Sequence, residues 1–127
     1  MFPSALQTSS PLSVQDFEVM ADSDTPSELI HGILHFLTAN NPIHAELCAR
    51  LACILQTKCV QDNLPLRVLS GEVGVVIRDG EAGTVRAADL AVISKERLPD
   101  LPKSGFLRVM PELLVEIISG SNTWTDT

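Results

Sequence analysis

The sequence predicts an α/β domain, a sheet flanked by helices. Three observations carry this. Ile43, Leu47, Leu51, Ile54 and Leu55 recur at three and four residues, the period of an amphipathic helix running to about Val60. The runs Leu90-Ala91-Val92-Ile93 and Leu113-Leu114-Val115-Glu116-Ile117-Ile118 read as core strands, the second buried on both faces. Glu28-Leu29-Ile30 and Ile33-Leu34-His35-Phe36-Leu37 flank His31-Gly32, the pattern of a tight hairpin. A strand-rich sheet with one long helix on a face belongs to the α/β or α+β class.

The remaining elements follow in order. Residues 1–12, rich in Ser and Pro, are expected to form a flexible N-terminal tail, and 13–127 the domain. Ser13 is a candidate cap for a short helix carrying Val14, Phe17 and Met20. Asp22 to Ser27 is a loop. Asn41 caps the long helix, with Pro42 in its first turn. Strands are expected at Leu64–Leu69, Gly74–Arg78 and Thr84–Ser94, with a turn at Asp79–Gly83. Lys95 to Arg108 is irregular, and a final strand covers 112–118. Ser119-Gly120-Ser121-Asn122 breaks that strand, and Thr123-Trp124-Thr125-Asp126-Thr127 resembles the first turn of another helix. The expectation is a domain incomplete at its C-terminus, missing its last helix and strands.

Composition bounds the function. The chain has 127 residues, 45% hydrophobic and 20% charged, enough for one globular domain with one core. Its apolar runs are far too short to span a bilayer, and Met1 to Ser13 has no secretory pattern. Cys48, Cys53 and Cys59, at spacings of five and six, fit neither a disulfide framework nor a CxxC knuckle. They read as small buried residues of a cytoplasmic protein. A net charge of −7 and a pI near 4.7 count against a basic nucleic-acid footprint. They leave room for a metal-dependent nuclease, because bound cations neutralise carboxylates and bridge to phosphate.

The chemistry concentrates on two acids. A carboxylate inside an apolar run needs a partner, a proton or a cation. Glu116 is one such case, and Asp89, opening the run 90–93, is another. Strand alternation puts Leu114, Glu116 and Ile118 on one face, and Asp89, Ala91 and Ile93 on one face of the earlier strand. On neighbouring strands these acids converge, and such a pair binds a hard divalent cation; Mg²⁺ suits it because it takes few protein ligands. The alternative is an Asp89 exposed at a strand end and a Glu116 paired with Arg67, Arg78 or Arg86.

Four segments, in order, resemble the putative restriction endonuclease domain family of the PD-(D/E)XK nuclease superfamily. They are Glu28 to Leu34, the helix starting at Pro42-Ile43-His44, Val85 to Ile93, and Pro111 to Ser119. The resemblance spans roughly residues 14–126 and implies a restriction-endonuclease-like mixed sheet flanked by helices. It implies a Mg²⁺-dependent endonuclease (Mn²⁺ as substitute) acting on DNA phosphodiester bonds. Asp89 and Glu116 take the catalytic and metal-ligand positions, and Glu28 and His44 are supporting candidates. Departures are visible: Ala88 where Pro is usual before the aspartate, Glu112 for a common Asp, Gly120 for Pro, and His31 for Asp. Ile118 stands where the superfamily's lysine is expected, two residues after Glu116. In this family the next helix often supplies that lysine. The expectation is a weak or inactive nuclease as given, and the alternative is a non-catalytic nuclease-fold module in protein interaction or assembly. An open sheet edge is expected to invite a homodimer.

Other residues have plainer readings. His31 and His35 lack an evident third zinc ligand. Lys58 suits the C-terminus of the long helix. Lys95, Arg97 and Lys103 fall in a solvated loop with phosphate contact as the alternative, and Trp124 packs on a core or stacks on a base. Gly71-Glu72-Val73-Gly74 is no phosphate loop, since no helix follows it.

Overall fold

The computed structural model describes residues 5–6, 10–21 and 25–118. The expected helix start at 123–127, with Trp124, and the break at Gly120 lie outside them. The chain folds as two compact units. The first takes Met1–Thr38, Gly74–Ala87 and Pro102–Met110; the second takes Ala39–Val73, Ala88–Leu101 and Pro111–Thr127.

In the first unit, helix α1 (Val14–Met20) starts where the sequence places it. The Ser13 hydroxyl accepts from the Asp16 amide at 3.0 Å, and the Asp16 carboxylate accepts from the Ser13 amide at 3.2 Å. This capping box satisfies two otherwise orphaned donors. Strands β1 (Ala5–Leu6), β2 (Ser27–Ile30) and β3 (Ile33–Phe36) follow the order β1-β3-β2, all antiparallel. The β2–β3 turn is His31-Gly32, with φ of 49° and 80°. Two positive φ values in a two-residue loop match the right-handed twist of the flanking strands.

Two long strands give residues to both units: β4 (Leu66–Arg78) and β5 (Thr84–Ser94). In the first unit β2 pairs with β5 at Leu29↔Val85. The core there is Val14, Phe17, Leu29, Leu34 and Val85, with Leu12, Phe36, Val76 and Phe106 packed against it. Phe17 stacks on Phe106 at 5.1 Å between ring centres. A Cβ on Gly74 would lie 2.4 Å from the Phe106 ring, so that ring seats on bare backbone.

The sequence pattern predicts separate strands at 64–69 and 74–78; the structure has one continuous β4. Gly71 and Glu72 both adopt positive φ, 92° and 59°, which bends the strand without ending it. A pair of left-handed residues acts as a bulge does, re-aiming side chains while the ladder continues.

In the second unit, helix α2 (Pro42–Gln61) has Asn41 as its cap and Pro42 in its first turn, as expected. Lys58 pairs with Asp62 at 2.7 Å at the helix end. The buried face overlaps the expected one at Leu51 and Leu55 and differs elsewhere. Ile43 is 74% exposed and Ile54 64%, while His44, Cys48, Leu51, Ala52, Leu55 and Cys59 form the inward stripe. Both stripes have helical spacing, and hydropathy favours the aliphatic one, although the packed one contains His and Cys. The cysteines accordingly divide: Cys59 is buried, Cys48 half-buried and Cys53 exposed, which corrects the expectation of three buried thiols.

Strand β6 (Leu113–Val115) pairs antiparallel with β5 through Leu90↔Val115, Ala91↔Leu114 and Val92↔Leu113. It is shorter than the expected 112–118, and it is not buried on both faces. Leu113, Leu114 and Ile118 are 40% exposed or more, and Glu116 is exposed. A three-residue strand in contact with β5 alone buries little of either face. Glu112, just before β6, accepts from the Ser94 amide and pairs with Arg97 at 2.7 Å. Among the described residues no helix is long and apolar enough to cross a membrane.

Candidate metal-binding site

Asp89 lies in the half of β5 where Ala88 to Ile93 are all buried. It is buried rather than exposed at a strand end, against the first half of that alternative. The β5–β6 register, continued by one residue, sets Asp89 opposite Glu116. Directly opposed residues of an antiparallel pair share a face, with Cβ atoms about 4.5–5.5 Å apart, and like charges there repel.

Two donors hold the Asp89 carboxylate. The Ile117 amide donates to Oδ2 at 2.7 Å, and His44 Nε2 approaches the same oxygen at 3.1 Å. Among the described residues Oδ1 receives no hydrogen bond. A carboxylate only accepts, so the His44 ring proton is assigned to Nε2. Nδ1 is then an acceptor, and Cys48 Sγ lies 3.6 Å from it.

The helix start fixes this geometry. The Asn41 side chain accepts from the His44 amide at 2.9 Å, anchoring the first turn of α2. His44 is buried, and Cys48 follows one turn later on the same face. Burial first, then the negative charges of Asp89, Glu72 and Glu116, push the Cys48 thiol above its ordinary value.

A cleft of about 320 Å³ opens here, lined by Asn40, His44, Cys48, Gly71, Glu72 and Asp89 among others. The left-handed pair Gly71-Glu72 forms part of the wall, and Asn40 Nδ2 donates to Glu72 Oε1 at 3.2 Å. Strained residues of this kind gather where a site over-determines them.

Glu28 is placed differently. It lies in the first unit, nearly buried, and its Oε2 accepts from Arg86 Nε at 3.0 Å and the Ala87 amide at 2.7 Å. Arg86 is thereby engaged with Glu28, and Arg67 donates to the Leu98 and Pro99 carbonyls. His31 is an exposed turn residue. Sequence reasoning missed Cys48 and Glu72. The His44-to-Cys48 spacing of four residues on one helix face was the available signal for the first. Glu72 had none, because only the bend in β4 turns it to the cleft.

The model of the family described as "Uma2: Putative restriction endonuclease" matches residues 14–127. Among solved structures, the chain is similar to one described as "a putative nuclease belonging to DUF820 from Anabaena variabilis", with a TM-score of 0.71 and 17% identity. The alignment covers 91% of this chain and 63% of that one, so the chain spans under two thirds of that protein. At this identity the likeness shows the fold, a nuclease-type α/β fold. None of the curated proteins matches the chain. With nearly its whole length matched from α1 onward, the chain belongs to the Uma2 family, the putative restriction endonucleases.

Proposed function

We propose that the chain is the metal-binding core of a Mg²⁺-dependent endonuclease hydrolysing DNA phosphodiester bonds, with Mn²⁺ as a substitute cation. The observation that carries this is the β5–β6 register, which, carried one residue past Leu90↔Val115, would set Glu116 opposite the buried Asp89. Two like charges there destabilise the ladder unless a cation bridges them. The residues fit a hard ion: the hydrogen bonds to Asp89 from the described residues are to Oδ2, and Glu116, next to Ile117, is exposed. A divalent cation at this position supplies positive charge for phosphate oxygens and lowers the pKa of water.

The chain's own residues do the positioning. His44 and the Ile117 amide hold one oxygen of Asp89 and turn the other outward. Glu116 contributes the second carboxylate. Glu28, the supporting candidate, fixes Arg86 and the backbone at Ala87 within the first unit. The chain carries a net charge of −7, so affinity for DNA runs through the cation. The free thiols and the lack of a membrane-spanning helix among the described residues support a cytoplasmic setting.

Calorimetric titration with Mn²⁺ tests the site. Binding is expected for the chain and is lost in Asp89→Asn and in Glu116→Gln. Nicking of supercoiled plasmid in Mg²⁺ tests the activity, and must disappear in both variants and with chelator. Mn²⁺ binding unchanged in both variants overturns the assignment.

One observation favours a second reading. Ile118 stands two residues after Glu116, where a lysine would steady developing charge. A non-catalytic module, pairing as a homodimer through β6 with its exposed Leu113 and Leu114, fits that substitution. Metal binding without nicking, together with a dimer in sedimentation, would select it.

A further inference from the structure

His44, Cys48 and Asp89 present one imidazole nitrogen, one sulfur and one carboxylate oxygen, all within 4.8 Å of one another. A Cys–His–acid row at such distances has two chemical readings. In one, the thiol is a nucleophile with His44 as its base and Asp89 as the orienting acid. A nucleophile of that kind needs an electropositive setting that favours thiolate. The surroundings here have the opposite sign. The charges of Asp89, Glu72 and Glu116 act on the thiol with negative sign, and among the described residues no Lys or Arg lines the cleft. An acidic cleft of this kind suits a cation, and a coordinating thiol gives up its proton to the ion.

We propose that His44, Cys48 and Asp89 form a site for a thiophilic divalent cation of the Zn²⁺ and Co²⁺ class, one that Mg²⁺ does not fill. The donor set selects this class. Imidazole and thiolate are ligands for borderline and soft ions, whereas Mg²⁺ takes oxygen and keeps its waters. Bond lengths of about 2.0–2.3 Å around a central ion put ligand atoms about 3.3–3.8 Å apart, so the longest edge closes by about 1 Å. One ring nitrogen serves the ion, so only one of the two short contacts, Nε2–Asp89 at 3.1 Å or Nδ1–Cys48 at 3.6 Å, is an edge of the ligand set, and the other edges lie within 4.8 Å. Asn41 anchors the first turn of α2, and β5 fixes Asp89, so two of the ligands sit on braced backbone. The open side of the cleft leaves the remaining position to water, as in three-ligand zinc sites. Because Asp89 is common to both, this ion and the Mg²⁺ of the nuclease reading compete for one carboxylate. The new site stands whether or not the chain cuts DNA.

Cobalt reports the site directly. Titration of the purified chain with Co²⁺ is expected to saturate at one equivalent and to raise a near-ultraviolet sulfur-to-metal absorption band. Cys48→Ser abolishes the band, Cys53→Ser keeps it, and His44→Ala weakens binding tenfold or more. A hundredfold excess of Mg²⁺ leaves the band in place. Should Cys48→Ser fail to fold by circular dichroism, alkylation of the unaltered chain decides. Zn²⁺ then suppresses iodoacetamide labelling of Cys48, read by peptide mass spectrometry, while exposed Cys53 labels as before. A band that survives Cys48→Ser, Co²⁺ bound without a band, or Cys48 labelling indifferent to Zn²⁺ overturns the proposal. Plasmid nicking and Mn²⁺ calorimetry are read separately, so failure of the nuclease reading leaves these outcomes unchanged.

Discussion

Replacing Asp89 separates its structural from its chemical work. In Asp89→Ala, the His44 ring and the Ile117 amide lose the oxygen they share. Hydrogen bonds to a charged group contribute about 1.5 kcal/mol each at the low end, so two amount to about 3 kcal/mol. Relief of the repulsion between Asp89 and Glu116 returns at most about 1 kcal/mol. The expected net loss is about 2 kcal/mol, or roughly 8 °C in Tm for a domain of this size. Asp89→Asn keeps an acceptor oxygen for both donors and removes the charge. Since charge-assisted bonds are about twice as strong as neutral ones, about half the gross loss remains, and the same relief brings it below about 1 kcal/mol. Urea unfolding followed by circular dichroism measures both variants at pH 7. If Asn proves as damaging as Ala, or Ala falls within 0.5 kcal/mol or so of the unaltered chain, the double bond to Oδ2 does not organise the site.

Three further outcomes follow from other residues. Asn41→Ala removes the cap of α2 and is expected to cost about 1 kcal/mol in urea unfolding, with a weaker Co²⁺ site because His44 loses its anchor. Gly74→Ala drives a methyl into the Phe106 ring and disturbs its stack on Phe17; a loss of about 1–3 kcal/mol is expected, and near-ultraviolet dichroism of the aromatic rings should change with it. Burial and the acids around it raise the Cys48 thiol, so its stabilising contribution is complete below the ordinary thiol pKa and fades as pH climbs through the raised one. Alkylation followed against pH should therefore show Cys48 reacting at a higher pH than Cys53, and coincident profiles would contradict this.

Local signals in the sequence were read with success where chemistry is local. Ser13 with Asp16, Asn41 with Pro42, and His31-Gly32 each determine a cap or a turn through neighbours a few residues away. The pairing of the two acidic segments was legible too: β6 lies against the buried half of β5 that carries Asp89. The choice of face on α2 was not. Its aliphatic stripe and its His-Cys stripe are both periodic, and only packing decides between them. The bend at Gly71-Glu72 was hidden for a related reason: glycine there reads equally as an interruption or a bulge, and the surrounding sheet chose the bulge. Glu116 was expected in a buried strand, and its exposure reflects how little covers β6 among the described residues.

One oxygen atom, Oδ2 of Asp89, ties the ring of a helix residue to the main-chain amide of Ile117. It therefore acts as a latch between the first turn of α2 and the chain leaving β6. A cation that recruits this oxygen competes with both of its donors, His44 and the Ile117 amide, so occupancy by such an ion would be felt at the backbone of residue 117. Deuterium uptake at Ile117 should then rise when the site is loaded, giving a solvent-exchange readout of ligand binding from a residue that touches no ligand.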